Sequence, residues 1–373
     1  MIKQPSYRFV GFEDEWKEVK VSDIFRVTRG QVLATTQISE EKTDTYKYPV
    51  YSSQTKNEGL LGYYDKYLFE TAITWTTDGA NAGTVNYREG KFYSTNVNGV
   101  LLSDEGFANK VIAEILNNEA WKYVSKVGNP KLMNNVMSEI SLVIPNDFRE
   151  ISILSTFFQD IDQLISLQQR KLEVLKEQKK TYLKLLFPAK GQTKPALRFA
   201  GFENDWKEVK LGEVTNIKTG GRDVQDSVEN GLYPFYIRSE EVKRINSYSF
   251  DGEAILIPGE ERLGEIFHYV NGKFDVHQRV YKISNFTDVN AKFVLQQMKK
   301  DFKQHAMRNT VKATVDSLRL PTIQSFTVFV PSLPEQEAIG SFFQDLDKAI
   351  AKQEEKVNQL KESKQTLLRK MFI

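Results

Sequence analysis

The stretch RFVGFEDEWKEVK at residues 8–20 recurs as RFAGFENDWKEVK at residues 198–210, with ten of the thirteen positions identical. A second pair follows downstream, where residues 155–187 align without gaps to residues 340–372, with fifteen identities in 33 positions. Self-similarity of this length marks an internal duplication. The chain is therefore predicted to consist of two copies of one unit.

Each copy has a constant beginning, a variable middle and a constant end. The middle segments, 21–147 and 211–333, share only short matches such as YPVY at 48–51 and YPFY at 233–236. A frame retained around diverged inserts predicts that the frame performs one task twice, while the two inserts bind different targets.

The constant ends are predicted to be two long helices. Apolar residues recur at alternating intervals of four and three in both, which is the pattern of a coiled-coil seam. Each helix could pack on its own domain, but matching segments of 33 residues are longer than most globular helices and favour antiparallel packing on each other. The predicted seam consists of Ile161, Ile165, Leu172, Leu175, Leu346, Ile350, Val357 and Leu360.

The middle segments predict mixed structure. Runs of β-favouring residues alternate with glycine-containing turns, and helical stretches are expected at 107–124 and 289–307. The expected fold class is α+β, with two globular domains joined by two long helices that form an antiparallel coiled coil in a pseudo-two-fold internal repeat. Phe9, Phe12 and Trp16 of the first copy, like their counterparts in the second, are expected to pack each domain on its frame, with a partner contact as the alternative.

Composition excludes several classes of protein. The 373 residues include no cysteine, which removes disulfides, thiolate metal sites and thiol nucleophiles. Apolar runs fall short of the roughly 20 residues that a bilayer span needs, and the N-terminus lacks the pattern of a secretion signal. A cytoplasmic protein is expected.

Motifs for catalysis are missing from the sequence. It contains no GxxxxGK[ST] phosphate-binding loop, no dinucleotide fingerprint and no HExxH metal motif. The pairs Asp160/Asp162 and Asp345/Asp347 lie two residues apart, on different sides of a helix, and are interpreted as solvated charges near helix starts. We therefore expect no catalytic residue and no metal site, and interpret the chain as a binding protein.

A target with two separated patches suits two different domains, and duplex DNA is the obvious candidate. Half-sites one helical turn apart are about 34 Å from each other, which is comparable with a helix pair of about 50 Å. The charge only half supports DNA, because residues 1–147 carry 16 basic and 19 acidic residues and residues 191–333 carry 20 and 18. Tight phosphate binding by this chain alone would show a strong basic excess. Either a partner supplies phosphate contacts or the target is something else.

The duplicated heads, the YPxY entries, the closing apolar strands with proline and the FFQDID helices resemble the DNA-specificity (S) subunit of type I restriction-modification systems. The resemblance covers essentially the whole chain, and its most specific stretch is LPEQEAIGSFFQDLDKAI at 333–350. The first copy departs from the pattern at NDFREISILSTFF, residues 146–158, which lacks Pro-Glu-Gln. That departure affects the expected cap of the first long helix.

The resemblance implies a non-catalytic subunit with two target-recognition domains, each recognising one half of a split double-stranded DNA sequence. It also implies that the helices dock two methyltransferase (M) subunits, that restriction (R) subunits join this assembly and that no membrane is involved. No cofactor is expected in this chain, because S-adenosylmethionine would belong to M, and ATP and Mg to other subunits. The expected domains are 1–147, first target-recognition domain; 148–190, central helix and linker; 191–333, second target-recognition domain; and 334–373, C-terminal helix.

Polar and basic residues on insert loops are the candidates for DNA contacts, since Arg recognises guanine, and Asn or Gln recognises adenine, in the major groove. In the first insert they are Thr76, Thr77, Asp78, Asn81, Asn96, Lys126 and Lys131. In the second they are Arg238, Arg262, His277, Gln278, Arg279 and Lys312.

Two alternatives stay open at this point. One is a stand-alone bipartite DNA-binding regulator that needs no methyltransferase. The other is a nuclease or methyltransferase whose motif is not recognisable in the sequence.

Overall fold

The computed structural model describes residues 5–53, 56–189, 191–260, 262–309 and 317–372. The chain divides into two compact units, one formed by residues 1–168 and 356–373 and the other by residues 169–355. Each unit contains one sheet domain and one portion of each of two long helices.

The first unit contains eight strands among its described residues, and six of them form one sheet in the order β2-β7-β5-β6-β3-β4. Only β3 and β6 pair in parallel. The strands are β1 (Lys17–Lys20), β2 (Arg26–Arg29), β3 (Tyr48–Tyr51), β4 (Leu60–Tyr64), β5 (Phe69–Thr76), β6 (Val85–Ser94), β7 (Asn98–Leu102) and β8 (Ser141–Ile144). The helices are α1 (Val21–Ile24), α2 (Lys110–Ala120), α3 (Asn134–Ser138) and the start of α4 (Phe148–Leu185).

The second unit repeats this plan, with a six-stranded sheet in the corresponding order β10-β15-β13-β14-β11-β12. Its strands are β9 (Lys207–Lys210), β10 (Asn216–Thr219), β11 (Tyr233–Tyr236), β12 (Val242–Ile245), β13 (Phe250–Pro258), β14 (His268–Val276), β15 (Val280–Ser284) and β16 (Thr327–Val330). Its helices are α5 (Leu211–Val214), α6 (Ala291–Gln297), a π-helical turn (Met298–Phe302), α7 (Lys303–Asn309), α8 (Leu320–Gln324) and the start of α9 (Leu333–Met371). The predicted α+β fold, with two sheet domains and two long helices, is confirmed.

The repeated heads form the frame of each domain. In the first unit β1 pairs antiparallel with β8, and in the second β9 pairs antiparallel with β16. Trp16 and Trp206, one from each head, are both 3% exposed. Trp16 packs near Phe372 and Trp206 near Phe187, so the end of a long helix closes each domain core. The expected packing role of the two tryptophans is confirmed.

The head arginines anchor the first turns of the long helices. Arg8 donates two hydrogen bonds to Glu150 at 2.7 and 2.8 Å, and Arg198 donates two to Glu335, both at 2.7 Å. Each carboxylate is 1% exposed, and the bond to Glu150 raises the pKa of Arg8. A glutamate in the first turn also interacts favourably with the helix dipole.

The altered join in the first copy keeps this glutamate and changes its neighbour. Ile151 is buried in the core of the first unit, where the second unit has Gln336. The Gln336 side chain accepts from the N–H of Asn290 at 2.9 Å and donates to the carbonyls of Asp288 and Pro331. The first long helix is instead capped by Asp147, which accepts from the N–H of Arg149 at 2.8 Å.

The long helices run antiparallel within each unit. In the second unit, Lys176, Lys179 and Tyr182 contact Glu354, Asp347 and Phe342 respectively, so numbers rise on one helix as they fall on the other. In the first unit, Phe158 packs on Phe372 and Asp162 pairs with Lys364. Of the predicted seam residues, Leu172 and Val357 are buried, and the other six are half-buried.

The interpretation of Asp162 and Asp347 as solvated charges near helix starts is wrong. Both lie fourteen residues into their helices, where Asp162 pairs with Lys364 and Lys110, both at 2.6 Å, and Asp347 pairs with Lys179 at 2.5 Å. Although burial opposes it, Lys110 and Lys364 hold the pKa of Asp162 below its ordinary value. The repeated Asp and Lys positions therefore form matching ion pairs inside the two helix portions.

None of the helices in the described parts of the chain is both long enough and apolar enough to cross a lipid bilayer.

Candidate nucleic-acid interface

Three loops of the first domain meet beyond the end of β5: residues 77–84, 95–97 and 125–132, here called the first rim. The N–H and hydroxyl of Thr77 both donate to the carbonyl of Val97, at 3.2 and 2.9 Å, and its carbonyl accepts from the N–H of Leu132 at 2.8 Å. The N–H of Gly79 donates to the carbonyl of Pro130 at 2.9 Å. These bonds join loops that are distant in sequence into one surface.

The seven residues predicted in the first insert lie on this rim or on the last residue of β5. Thr76 and Thr77 are 5% and 3% exposed, so their main contribution in the free protein is to hold the loops. Asp78 is half-buried, and the exposed members are Asn81, Asn96, Lys126 and Lys131. Amide and ammonium groups of this kind can donate to DNA phosphates or to base edges. A DNA contact by any one of them stays a prediction.

The corresponding surface of the second domain, here called the second rim, consists of residues 237–240, 259–260, 262–265 and 277–279. The N–H of Gly259 donates to the carbonyl of Arg279 at 2.8 Å, which ties two of its loops together. Predicted residues on this rim are Arg238, Arg262, His277, Gln278 and Arg279, while Lys312 lies outside the described residues.

Carboxylates hold the arginines of the second rim. Glu260 accepts from Arg279 at 2.7 and 2.8 Å and from Arg238 at 3.1 Å. These bonds lower the pKa of Glu260, and the bond from Arg279 has the largest effect. Arg262 is held separately, by Glu240 at 2.8 Å and Glu265 at 3.1 Å. The arginines are thus oriented before any ligand arrives.

His277 lies beneath this surface and is 3% exposed. Its Nδ1 accepts from the N–H of Arg279 at 3.0 Å. Burial, and then the Arg238 cation, lower the pKa of His277, so the ring is neutral at pH 7. Gln278 is exposed, and its amide donates to Asp223 at 3.1 Å.

A glycine at the same repeat position lets a loop pass close behind each rim. A Cβ atom at Gly30 would overlap the carbonyl oxygens of Ser94 and Thr95, and one at Gly220 would overlap the carbonyl of Val276. Close approach of two backbones is a site that requires glycine. The two glycines are 190 residues apart, which is the offset of the repeated heads.

Sequence reasoning missed two residues of this surface. Gln31 is exposed and bridges to Thr95 beside the first rim; the matching offset of Gly30 and Gly220 was an available signal for it. Glu260 was not predicted, because no motif in the sequence marks a carboxylate that holds two arginines from other segments.

Within the described residues, no three His, Asp or Glu side chains are grouped so that they could hold a metal ion. What the two rims offer is a set of oriented donors and acceptors on exposed loops. Such surfaces suit recognition of DNA by hydrogen bonds to phosphates and base edges.

Comparison with known proteins agrees with this interpretation. The type I restriction modification DNA specificity domain matches the chain twice, at residues 13–177 and 203–362. A putative type I specificity subunit of Mycoplasma pneumoniae is 27% identical over 340 residues, covering 86% of each chain. Another from the same organism, described as an N-terminus, is 40% identical over 129 residues, 34% of this chain and 67% of that protein.

The fold is also found in a solved structure. The crystal structure of the type I restriction-modification S subunit from M. genitalium superposes with a TM-score of 0.76 at 16% identity, covering 99% of each chain. Specificity subunits are DNA-recognition components and not catalysts, so the prediction that this chain is not itself an enzyme is confirmed. With its two matched copies of the specificity domain, the chain belongs to the family of type I restriction-modification DNA specificity subunits.

Proposed function

We propose that this chain recognises a split DNA site, one half-site per domain, and docks methyltransferase subunits through its long helices. The observation that carries the proposal is the pairing of one repeated frame with two different rims. Matching Arg–Glu anchors and matching Asp–Lys pairs hold domains whose exposed rims carry Asn and Lys in one case, and Arg and Gln in the other.

The long helices also support a docking role. Leu164 and Leu167 of α4 are 41% and 56% exposed, and exposed apolar side chains grouped along a helix are typical of protein interfaces. The corresponding positions of α9 are Ala349 and Lys352, so the docking surface would be more apolar on α4.

In this proposal the partners contribute what the chain lacks. Two M subunits would bring S-adenosylmethionine and additional phosphate contacts, R subunits would bring ATP and Mg, and the complex would act in the cytoplasm. The near balance of charge in both domains fits a subunit that shares its DNA with partners.

Exchange of one insert tests the split-site proposal. Residues 21–147 are replaced by the matching insert of a relative, and the methylated motif of a host carrying each version is sequenced. We expect one half of the motif to change while the other half stays the same. The partner subunits of the chain should also stay the same. A change in both halves would contradict one domain per half-site.

Lengthening both helices by whole heptads is expected to widen the spacer between the halves.

Co-purification with the methyltransferase of the same system tests docking and separates the proposal from the stand-alone regulator. Leu164→Glu with Leu167→Glu should abolish co-purification, because charges would then lie in the apolar interface, whereas Gln178→Glu, also exposed, should not. If the unmodified chain recruits no methyltransferase and still binds a split site tightly alone, the regulator is the correct function.

The purified chain is expected neither to methylate nor to cut DNA with S-adenosylmethionine or Mg²⁺.

A further inference from the structure

Arginines in this chain differ in which edge of the guanidinium they use. The Nε–H and Nη2–H groups form one edge with two parallel donors. Arginines that stabilise the fold use this edge on protein groups: Arg8 and Arg198 on glutamates, Arg222 on Asp275 and Ser247, and Arg244 on the carbonyls of Gly231 and Leu232.

Arg238 and Arg279 of the second rim keep this edge open. Both donate to Glu260 through Nη1, at 3.1 Å for Arg238 and at 2.7 and 2.8 Å for Arg279. Among the described residues, none accepts a hydrogen bond from the Nε or Nη2 of either side chain. The side chains are 37% and 55% exposed, so both are partly accessible to a ligand.

The backbone that carries Arg279 is held on both sides. Its N–H donates to buried His277, and its carbonyl accepts from the N–H of Gly259, the residue before Glu260. The carboxylate and the arginine are therefore positioned from adjacent, hydrogen-bonded segments. Side chains held in this way lose less conformational entropy when they bind.

We propose that Arg238 and Arg279 recognise guanine in the second half-site through their Nε–H and Nη2–H edges, and that Glu260 is a positioning residue that holds both. This deepens the proposed function and rests on it. Guanine is the base that presents two acceptors, N7 and O6, side by side in the major groove, and a bidentate arginine matches them. The first rim, residues 77–84, 95–97 and 125–132, contains no arginine, so those loops do not offer this means of recognition.

Base recognition is favoured over phosphate contact by the local charge. Glu260 places one negative charge between two positive ones, which reduces the attraction of the pair for a phosphate and adds direct repulsion. A neutral acceptor pair such as N7 and O6 is not repelled in this way. The carboxylate thus orients the arginines and makes them poorer phosphate ligands.

The test uses the full chain in complex with its methyltransferase and a DNA library randomised at the second half-site. We expect a guanine at one or two fixed positions. Replacing such a guanine by 7-deazaguanine, which lacks the N7 acceptor, should weaken binding by about tenfold, whereas a neutral methylphosphonate at the adjacent phosphate should change it less than about twofold.

Lysine variants separate the effect of the paired Nε–H and Nη2–H donors from the effect of the positive charge. Arg279→Lys keeps the cation and loses the paired donors, so preference for guanine over adenine should fall by about tenfold while binding to unrelated DNA is unchanged. Arg244→Lys is the matched control, because Arg244 lies outside the second rim and already uses Nε and Nη2 on the carbonyls of Gly231 and Leu232; the preference of this variant for guanine should stay as in the unmodified chain. Glu260→Gln should lower the preference for guanine and raise affinity for unrelated DNA, whereas Glu208→Gln, at an exposed position of β9 outside the rim, should do neither.

Three results would overturn the assignment while leaving the split-site function intact: no guanine in the selected half-site, unchanged discrimination in a folded Arg238→Lys/Arg279→Lys variant, or loss of binding with methylphosphonate instead of 7-deazaguanine. Thermal unfolding establishes whether each variant folds. If Glu260→Gln does not fold, the lysine variants still test the proposal. If the unmodified complex prefers no DNA sequence at all, the proposed function itself fails.

Discussion

The two units of this protein share a frame and differ in the surfaces that the frame presents. Arg8 and Glu150 in the first unit correspond to Arg198 and Glu335 in the second, with nearly identical distances and the same burial of the carboxylates. In contrast, the first rim exposes amides and lysines, and the second exposes arginines held by glutamates. Buried charges are retained because each depends on its partner, whereas exposed loop residues are free to follow the target.

The frame itself is not fully symmetric. The ion-pair cluster of the first unit contains Lys110, Glu114, Asp162 and Lys364, two positive and two negative groups. That of the second unit contains Lys179, Lys299 and Asp347, and Leu295 of α6 occupies the position that Glu114 has in α2. Equivalent mutations should therefore have equal effects at some frame positions and unequal effects at others.

The largest effect is expected for the buried carboxylates of the shared anchor. Glu150→Ala should destabilise the first unit, and Glu335→Ala the second, each by about 3 to 5 kcal/mol, because removal of one partner leaves a desolvated arginine charge unpaired. Hydrogen exchange resolved by mass spectrometry can assign the loss to one unit. Glu139→Ala, which breaks the exposed pair with Lys20, is the control and should cause little change. Equal behaviour of Glu150→Ala and Glu139→Ala would contradict the anchor role.

Next in size are the two glycines behind the rims. Gly30→Ala and Gly220→Ala should each cost at least about 1 to 3 kcal/mol, since the new methyl group overlaps backbone carbonyls that cannot move without breaking strand pairing. Gly221→Ala is the matched control, because a Cβ there meets open space, and its effect should stay within about 0.5 kcal/mol. Thermal unfolding measures all three; a loss in Gly221→Ala as large as in Gly220→Ala would refute the packing explanation.

The altered join offers a test of how far the two frames are interchangeable. Gln336→Ile should cost about 1 to 3 kcal/mol, because the N–H of Asn290 loses its acceptor. Ile151→Gln should cost a similar amount, because it buries an amide in a core that is otherwise apolar. Denaturant unfolding of both variants is the measurement. If each residue is tolerated in the other unit, the difference at this join has no structural cause.

The frame was predictable from sequence because the duplication repeats its sequence in both halves of the chain. The heads and the long helices followed from repeated sequence and a period of seven, and the seam residues stay a prediction. For the rims, the sequence predicted candidate residues but not that their loops form one surface. Residues such as Thr77 and Lys131 are far apart in sequence, and their loops are brought together by backbone pairing of irregular segments. Glu260 and the charge clusters depend on distances between side chains from three or four elements, which no local pattern encodes.

The charge clusters predict a moderate, unequal response. Asp347→Asn leaves Lys179 and Lys299 facing each other without a carboxylate among the described pairs of that cluster, whereas Asp162→Asn leaves Glu114 to pair with Lys110 and Lys364. Burial, and then Lys179, already lower the pKa of Lys299. We expect a loss of about 1 kcal/mol for Asp347→Asn and a smaller one for Asp162→Asn by denaturant unfolding, with the gap shrinking at high salt. Equal losses would contradict the proposed asymmetry.

The smallest effect is a difference between the units in their response to mild acid. Burial lowers the pKa of His268 and of His277 below the ordinary value of 6.5, and residues 1–168 and 356–373 contain no histidine. The unfolded second unit therefore takes up more protons than the folded unit as the pH falls through about 6.5, so its stability falls with pH in this window. Between about pH 7.5 and about pH 5.5, we expect less than about 1 kcal/mol per histidine, seen as lost exchange protection in the second unit only. His277→Asn should reduce this pH dependence, because it removes one of the two groups that bind the additional protons. Carboxylates titrate mainly below this window, so equal losses of protection in both units would show that burial of these two rings is not the cause.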